Sequence, residues 1–483
     1  MGLFDYSKEP RRDILFMDIK SNYASIECVL MGLDPMKVSL CVMSHADNSA
    51  GLILAASPTF KQVFGKSNVG RSRDLPFHAE TRKFNYKRWY DTATPNIFGQ
   101  VPPPDKAYVD FIEEWAKNTY IVPPQMSIYI EKNVEINQIL ATFTSMSEVH
   151  TYSIDESFLD VTESLDYFFP TILDRGIKID LLAQKIQRKI FRQTGLYATM
   201  GMSNCNPLLA KLAMDNYAKK SFNMRSLINY EDVADKLWTI PEMTDFWGIG
   251  KRTAAKLKTL GIRNIKDLAN YDPDRLKQIM GVMGVQLIAH ANGIDETTVH
   301  DPNIKKSTSY SNNQTLHRDY DDQTEIETVL KEMGEQIAVR LRKSKKFATS
   351  ISFYVGFSFM ETQPTIKSTK KIDPTNHTQD IQNLITREFR KLYHGGKIRR
   401  LGVSANDLTE VNVKQLSFFD VTDNLECSAK LKEEKIQDSV DMIRNNYRFA
   451  SVQKATALTK GSRVIARTNM IGGHSAGGYE GLD

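Results

Sequence analysis

Cysteine is scarce in this chain of 483 residues. There are four, at Cys28, Cys41, Cys205 and Cys427, all far apart. No Cys-x-x-Cys pair and no His/Cys cluster occurs, which argues against a zinc site and a disulfide framework. A reducing intracellular compartment is then the default. Long apolar runs are also missing. None approaches the roughly 18 residues that a membrane span needs. Residues 1–10 carry Asp5, Lys8 and Glu9 and lack the apolar core of a signal peptide. Tyr6 stands where N-myristoylation wants Ser or Thr. The expectation is a cytoplasmic protein without a membrane partner. Strong charge of one sign is absent too. A net charge of +5 permits a polyanionic partner without requiring one.

What is present is ordinary globular composition, 41% hydrophobic and 25% charged. The length predicts three or four domains at roughly 100–200 residues each. Residues 13–19 read as a buried strand. Residues 24–33 follow as a helix, with Ile26, Val29, Leu30 and Leu33 at helical spacing. Val38 to Val42 and Leu52 to Ala56 read as paired strands. Residues 83–125 are Pro-rich and irregular around a helix at 108–117, and read as an insertion. Residues 149–162 read as a hairpin, 179–193 as an amphipathic helix and 196–202 as a strand. From about 241 to 300 come short helices broken by glycines. Residues 307–405 return to strand-like alternation with helices at 323–343 and 378–392. A polar stretch with Pro302 separates the last two blocks and reads as a linker. After 411 comes a tail with a charged helix at 424–446. Its Gly-rich end, Gly472 to Gly481, is expected to be unstructured.

The chemistry concentrates in acids. Asp155 and Glu156 sit inside the apolar, β-branched run 153–160. Asp18 ends the run Ile14-Leu15-Phe16-Met17. Adjacent strand residues point to opposite faces, but at a hairpin turn both acids can face one site. Carboxylates at strand ends that converge on one spot hold divalent metal, and Mg²⁺ suits a site made of a few carboxylates, waters and substrate phosphates. A water-exposed acidic turn is the commoner reading of a lone Asp-Glu pair. Asp18, at the end of an apolar strand, tells against it because an unpaired buried carboxylate is costly.

Two segments look suited to phosphate. Asn206 and Pro207 read as the cap and first residue of a helix, which places Lys211 near a helix N-terminus. A surface lysine on an amphipathic helix is the plainer alternative. Gly248-Ile249-Gly250, with Lys251 and the helix that follows, has the form of a helix-hairpin-helix, whose turn lets backbone N–H groups approach one phosphate. Basic runs that include Lys345, Lys346, Arg399 and Arg400 flank strand-like segments, and form a candidate phosphate-backbone track.

Taken in order, these motifs resemble the Y-family translesion DNA polymerases of the UmuC/DinB type, nearest to the Gram-positive UmuC-like, ImpB/MucB/SamB group. The resemblance covers about residues 12–420. Its carriers are Phe16-Met17-Asp18 with Asn22-Tyr23-Ala24-Ser25, Tyr152-Ser153-Ile154-Asp155-Glu156, Ala210-Lys211-Leu212-Ala213 and Gly248-Ile249-Gly250. It implies a multidomain α+β fold, a right-hand polymerase. The expected parts are a palm at 1–36 and 81–240 with the insertion near 83–125, small fingers at 37–80, a helix-hairpin-helix thumb at 241–300, a little finger at 307–410 and a tail at 411–483.

The resemblance also implies roles. Asp18, Asp155 and Glu156 fall on the catalytic metal carboxylates, and the Ile19 carbonyl on a further metal contact, for two Mg²⁺ ions. Tyr23 falls on the steric gate that excludes a ribose 2′-hydroxyl. Asn22, Tyr23, Thr59, Lys61 and Lys211 fall on the nucleotide site. Gly248, Gly250, Lys251, Lys345, Lys346, Arg399 and Arg400 are the expected DNA contacts. Asn22 departs from the family, which usually has an aromatic there, and the basic residue of the fingers motif is Lys61 or is displaced by one. Gln415-Leu416-Ser417-Phe418-Phe419 is similar to the peptide by which bacterial polymerases bind the sliding clamp; its anchors would be Gln415, Leu416, Phe418 and Phe419. Expected partners are primer–template DNA, deoxynucleoside triphosphates and the clamp, with a UmuD-like accessory subunit as in some relatives. The implied activity is low-fidelity translesion synthesis in DNA repair and the SOS response. Two rivals share some of these features: a metal-dependent helix-hairpin-helix nuclease and a non-catalytic DNA- or clamp-binding factor. The nuclease has no need of Tyr23 or Lys211, and the binding factor predicts no metal-dependent chemistry.

Overall fold

The computed structural model describes residues 5–44, 51–65, 70–96, 98–299, 308–410 and 424–475, with only the backbone helix given for 424–431. The chain divides into two compact units, one within Met1–Pro302 and one within Asn303–His474. No described helix is long and apolar enough to cross a membrane.

In the first unit the strands run β1 (Ile14–Ile19), β2 (Leu40–Met43), β3 (Ile53–Ala56), β4 (Tyr120–Val122), β5 (Val149–Thr151), β6 (Glu156–Asp160), β7 (Ala198–Ser203) and β8 (Arg225–Leu227). Five of them make one sheet in the order β5-β6-β1-β7-β8. β1 is central and antiparallel to both neighbours. Its Ile14, Leu15, Phe16 and Met17 are all buried, as a strand covered on both faces requires. The helix Pro207–Asn216 is capped by Asn206, whose side chain accepts from the Leu209 N–H. It lies so close to β7 that a Cβ at Gly201 would stand 2.0 Å from the Ala210 carbonyl oxygen. The helix Arg175–Thr194 starts at the Asp174 cap and stops at Gly195, in the left-handed region at φ 71°. It buries Ile179, Leu182, Ala183, Ile186 and Ile190, one helical face.

A smaller sheet has the order β3-β2-β4. β2 pairs antiparallel with β3 and parallel with β4. Its core joins Phe60 and Phe77 to Phe84, Ile112, Trp115 and Ala116. Much of the segment read as an insertion near 83–125 therefore packs with the 37–80 region. The β2–β4 pairing joins segments far apart in the chain, which local periodicity does not reveal. The short helices Lys251–Thr259, Ile265–Ala269, Pro273–Met280 and Val282–Ala291 share one apolar core with Leu208, Leu209 and Leu212.

The second unit contains β9 (Ser309–Tyr320), β10 (Phe347–Phe357), β11 (Ile366–Thr375) and β12 (Ile398–Thr409). They form an antiparallel sheet in the order β11-β10-β12-β9. Ile351, Phe353, Val355, Leu401, Val403 and Ala405 share a core with the helices Gln323–Lys343 and Thr378–Leu392. The 411–483 stretch read as a tail, but its described part folds back on this unit. Asp441 meets Arg342 at 2.6 Å, Arg444 meets Glu335 at 2.8 Å, and Glu332 accepts from the Ser462 hydroxyl at 2.5 Å and the Arg463 N–H at 3.0 Å. At the start of the glycine-rich end, which was expected to be unstructured, Met470–Ile471 pairs with His474–Ser475 across Gly472 and Gly473.

Candidate active site

The register of the large sheet assembles the acids. Asp18, near the end of β1, is paired with Glu156, the first residue of β6. Directly paired residues share a face. The chain reverses between β5 and β6, and Asp155 sits at the end of that turn. Its carbonyl accepts the Ile19 N–H at 3.0 Å, which ties the turn to the end of β1. The Ser153 hydroxyl donates to Asp155 Oδ1 at 2.7 Å and reaches Glu156 Oε2 at 3.3 Å. From behind, Asn133 Nδ2 donates to the Ile154 carbonyl at 2.8 Å. Trp247 Nε1, just before the Gly248-Ile249-Gly250 turn, donates to the Tyr152 hydroxyl at 3.3 Å.

A cavity of about 630 Å³ opens here, lined by Asp18, Ile19, Asn22, Tyr23, Lys61, Asp155 and Lys219 among others. The sharp bend into it falls at Ser21, at φ 51°, an uncommon left-handed conformation for a non-glycine residue. Lys61 Nζ lies 3.1 Å from Ser21 Oγ. Burial lowers the pKa of Lys61, with Asp18 opposing and Lys20 and Lys219 adding to the fall. Asn22 is 5% exposed, and its Nδ2 is buried without a hydrogen-bond partner, a cost that a ligand's acceptor would remove.

The two lysines near the acids differ. Lys211 is 4% exposed. Its ammonium meets Glu156 at 3.2 Å and Asp215 at 3.4 Å, and stands 4.2 Å from the centre of the Phe16 ring. It therefore faces Glu156 and does not line the cavity wall. Lys219 lines that wall and meets Asp18 at 3.0 Å. Burial works against its charge, but Asp18 and Asp215 outweigh burial and raise its pKa. Sequence reasoning missed Lys219. It lies in the short turn Ala218–Lys220, where no periodicity marks it. Thr59 spends its hydroxyl on the Met36 carbonyl at 2.9 Å.

Among the described residues no trio of His, Cys, Asp or Glu is already gathered as a metal cage. The donor chemistry nevertheless fits a hard divalent cation. Asp18 is pushed up to about 6, by burial first, with Lys219 opposing and Asp155 and Glu156 adding to the rise. Carboxylate repulsion of that kind is what a divalent cation relieves.

The expected DNA contacts fall on both units. Gly248, at φ 93°, turns the chain before Gly250 caps the helix that begins at Lys251. In the second unit Lys345 and Lys346 lie in the turn before β10, with Lys345 at φ 53°. The β12 register breaks between Ile398 and Arg400, and both Ile398 and Leu401 face the core, so simple alternation does not hold across Arg399. Arg399 meets Asp319 at 3.5 Å. Arg400 alternates with the buried Leu401 and so lies on the open face, where Tyr354 and its register partner Lys367 also lie. Lys367, on β11, was not among the residues singled out in the sequence. Gln415, Leu416, Phe418 and Phe419 lie outside the described residues.

Comparison with known proteins fits this arrangement. A solved structure described as a Y-family DNA polymerase chimera, Dbh-Dpo4(243-245)-Dbh, matches with TM-score 0.57 over 82% of this chain and 99% of its own, at 20% identity. The fold is thus that of a Y-family DNA polymerase. Models of the impB/mucB/samB family match residues 107–215, the family's C-terminal domain matches 307–418, and the helix-hairpin-helix motif matches 230–262. The UvrX protein of Bacillus subtilis (strain 168), whose name assigns it to UV-damage repair, is 32% identical over 98% of this chain and 100% of its own length. A protein of the same organism named DNA polymerase IV 2 is 31% identical over 75% of this chain and 84% of its own. The chain belongs to the impB/mucB/samB family of Y-family DNA polymerases.

Proposed function

We propose that this chain is a template-directed DNA polymerase that adds deoxynucleotides to a primer 3′ end and works in translesion synthesis in the cytoplasm. The observation that carries the site assignment is the cavity where Asp18 and Asp155 meet Tyr23, Lys61 and Lys219. Acids at one end and ammonium groups along the wall match a nucleoside triphosphate whose reacting phosphate must lie beside bound cations.

Asp18, Asp155, Glu156 and the Ile19 carbonyl would hold two Mg²⁺ ions. Bound Mg²⁺ supplies charge neutralisation on the triphosphate and acidifies the primer hydroxyl. Lys61 and Lys219 meet the negative charge of the triphosphate, and Lys211 remains the counter-charge that orients Glu156. The unpartnered Asn22 amide donates to the nucleotide. Tyr23 presents its ring to the sugar and leaves no room for a 2′-hydroxyl. The Gly248–Lys251 turn and the open face around Arg400 contact DNA backbone without reading sequence. Gln415, Leu416, Phe418 and Phe419 bind the sliding clamp, and a UmuD-like subunit is a further partner.

The test is Mg²⁺-dependent primer extension across an abasic template, with and without clamp. Lengthened product that incorporates opposite the lesion is expected. Shortened product would indicate a nuclease, and no metal-dependent change would indicate a DNA-binding factor.

A further inference from the structure

The Tyr23 ring has a partner on another helix. It stacks on Tyr129 with centroids 4.4 Å apart and planes 13° from parallel. Tyr129 belongs to the helix Met126–Leu140 and is fully buried. Its hydroxyl donates to Glu27 Oε1 at 2.5 Å. Gln125 Nε2 donates to the same carboxylate, at 3.0 Å to Oε2 and 3.3 Å to Oε1. Glu27 is 4% exposed and lies four residues after Tyr23 on the helix Asn22–Leu30, so the two share a helical face. A buried carboxylate is costly unless its oxygens are hydrogen-bonded, and here both oxygens are. Burial raises the pKa of Glu27 although Tyr129 and Gln125 pull it down.

Selection against a single hydroxyl requires a wall that does not retreat. A tyrosine that merely borders a cavity can swing aside, since a distorted side-chain torsion costs only about 0.5–1.5 kcal/mol. The ring behind Tyr23 closes that escape. It is itself tied to the helix that bears Tyr23, through Glu27.

We propose that Tyr129, anchored by Glu27, is the positioning residue that makes Tyr23 a rigid sugar-selective wall. This deepens the polymerase reading and rests on Tyr23 being that wall. Tyr129 touches no substrate; it acts through Tyr23.

The experiment measures kcat and KM for matched deoxy- and ribonucleoside triphosphates with full-length protein on primer–template DNA and Mg²⁺. In Tyr129→Leu the deoxy/ribo ratio of kcat/KM is expected to fall about three- to tenfold, the worth of an aromatic stack. The change should come from improved ribonucleotide use, with kcat for deoxynucleotides retained. In the Tyr23→Ala background Tyr129→Leu should add nothing, because a residue acting only through Tyr23 loses its effect when that ring is gone. An unchanged ratio in Tyr129→Leu, or an equal further fall in the double variant, overturns the inference while leaving the wall itself intact. An unchanged ratio in Tyr23→Ala sinks the underlying reading instead. If Tyr129→Leu does not fold, Tyr129→Phe decides: it keeps the stacked ring and loses only the anchor. A lowered ratio then supports the inference, and an unchanged one overturns it.

Discussion

The carboxylates and lysines around the cavity divide into groups that would touch substrate and groups that hold them in place, and single substitutions separate the two. Asp155→Ala removes a cavity-lining acid beside Asp18. Loss of cation binding forfeits several kcal/mol of transition-state stabilisation, so extension should fall at least about a thousandfold. DNA binding, read by fluorescence anisotropy, should stay within about twofold, since the phosphate contacts lie elsewhere. Near-normal extension would remove Asp155 from the chemistry. Lys219 and Lys211 should respond differently. Lys219→Met should raise KM for the nucleotide about tenfold, the worth of one charge-assisted phosphate contact. Lys211 is 4% exposed and bridges Glu156 and Asp215, so Lys211→Met should cost about 3 kcal/mol of stability, measured by denaturant unfolding. If Lys211→Met instead raises KM without loss of stability, the two roles are exchanged.

Legibility followed locality. Asp18, Asp155 and Glu156 could be read because each interrupts an apolar strand run, and the hairpin between β5 and β6 announced itself by alternation. The register that sets Asp18 opposite Glu156 could not be read, because it is fixed by side chains packing on both faces of β1. The parallel pairing of β4 with β2 was hidden for the same reason. The approach of the helix Pro207–Asn216 to β7 depends on the missing side chain of Gly201, where a Cβ would meet the Ala210 carbonyl oxygen at 2.0 Å and Met214 N at 2.5 Å. Neither is a flexible side-chain end, so Gly201→Ala should force the helix off the sheet. We expect a loss of about 3 kcal/mol or failure to fold, in the range of overpacked cores, and thermal melting tests it. A variant as stable as the parent would mean that this packing is looser than described.

Charge over the entire molecule is modest, at +5, so DNA affinity must come from where the cations lie. With six or more phosphate contacts, affinity for primer–template should fall about a thousandfold between 50 and 200 mM salt. Arg400→Ala should lower the slope of log affinity against log salt by about one. Arg399→Ala should change it less, because that guanidinium faces Asp319. Equal effects would mean that the Asp319 pairing does not withhold Arg399 from DNA. The C-terminal segment bears on the second unit as a whole. Arg444 is buried, pairs with Glu335, donates to the Val452 carbonyl and lies 4.4 Å from the Phe449 ring centre. Arg444→Ala should destabilise that unit by about 3 kcal/mol, as loss of one partner of a buried pair does.

By itself the sequence determined the ingredients and their order: acids at strand ends, Tyr23 five residues after Asp18, a glycine turn before Lys251, and the periodicities that make each segment a strand or a helix. These are short-range properties, set by the spacing of apolar residues and by caps such as Asn206. The tertiary structure alone decided which lysine lines the cavity, which arginine is held by an acid, that Tyr129 and Glu27 stand behind Tyr23, and that the described chain after 424 folds back on the helices of the second unit. Each of these joins groups distant in the chain. Such groups meet only where burial and hydrogen bonding of whole elements bring them together, and that long-range balance leaves no periodic trace in the chain.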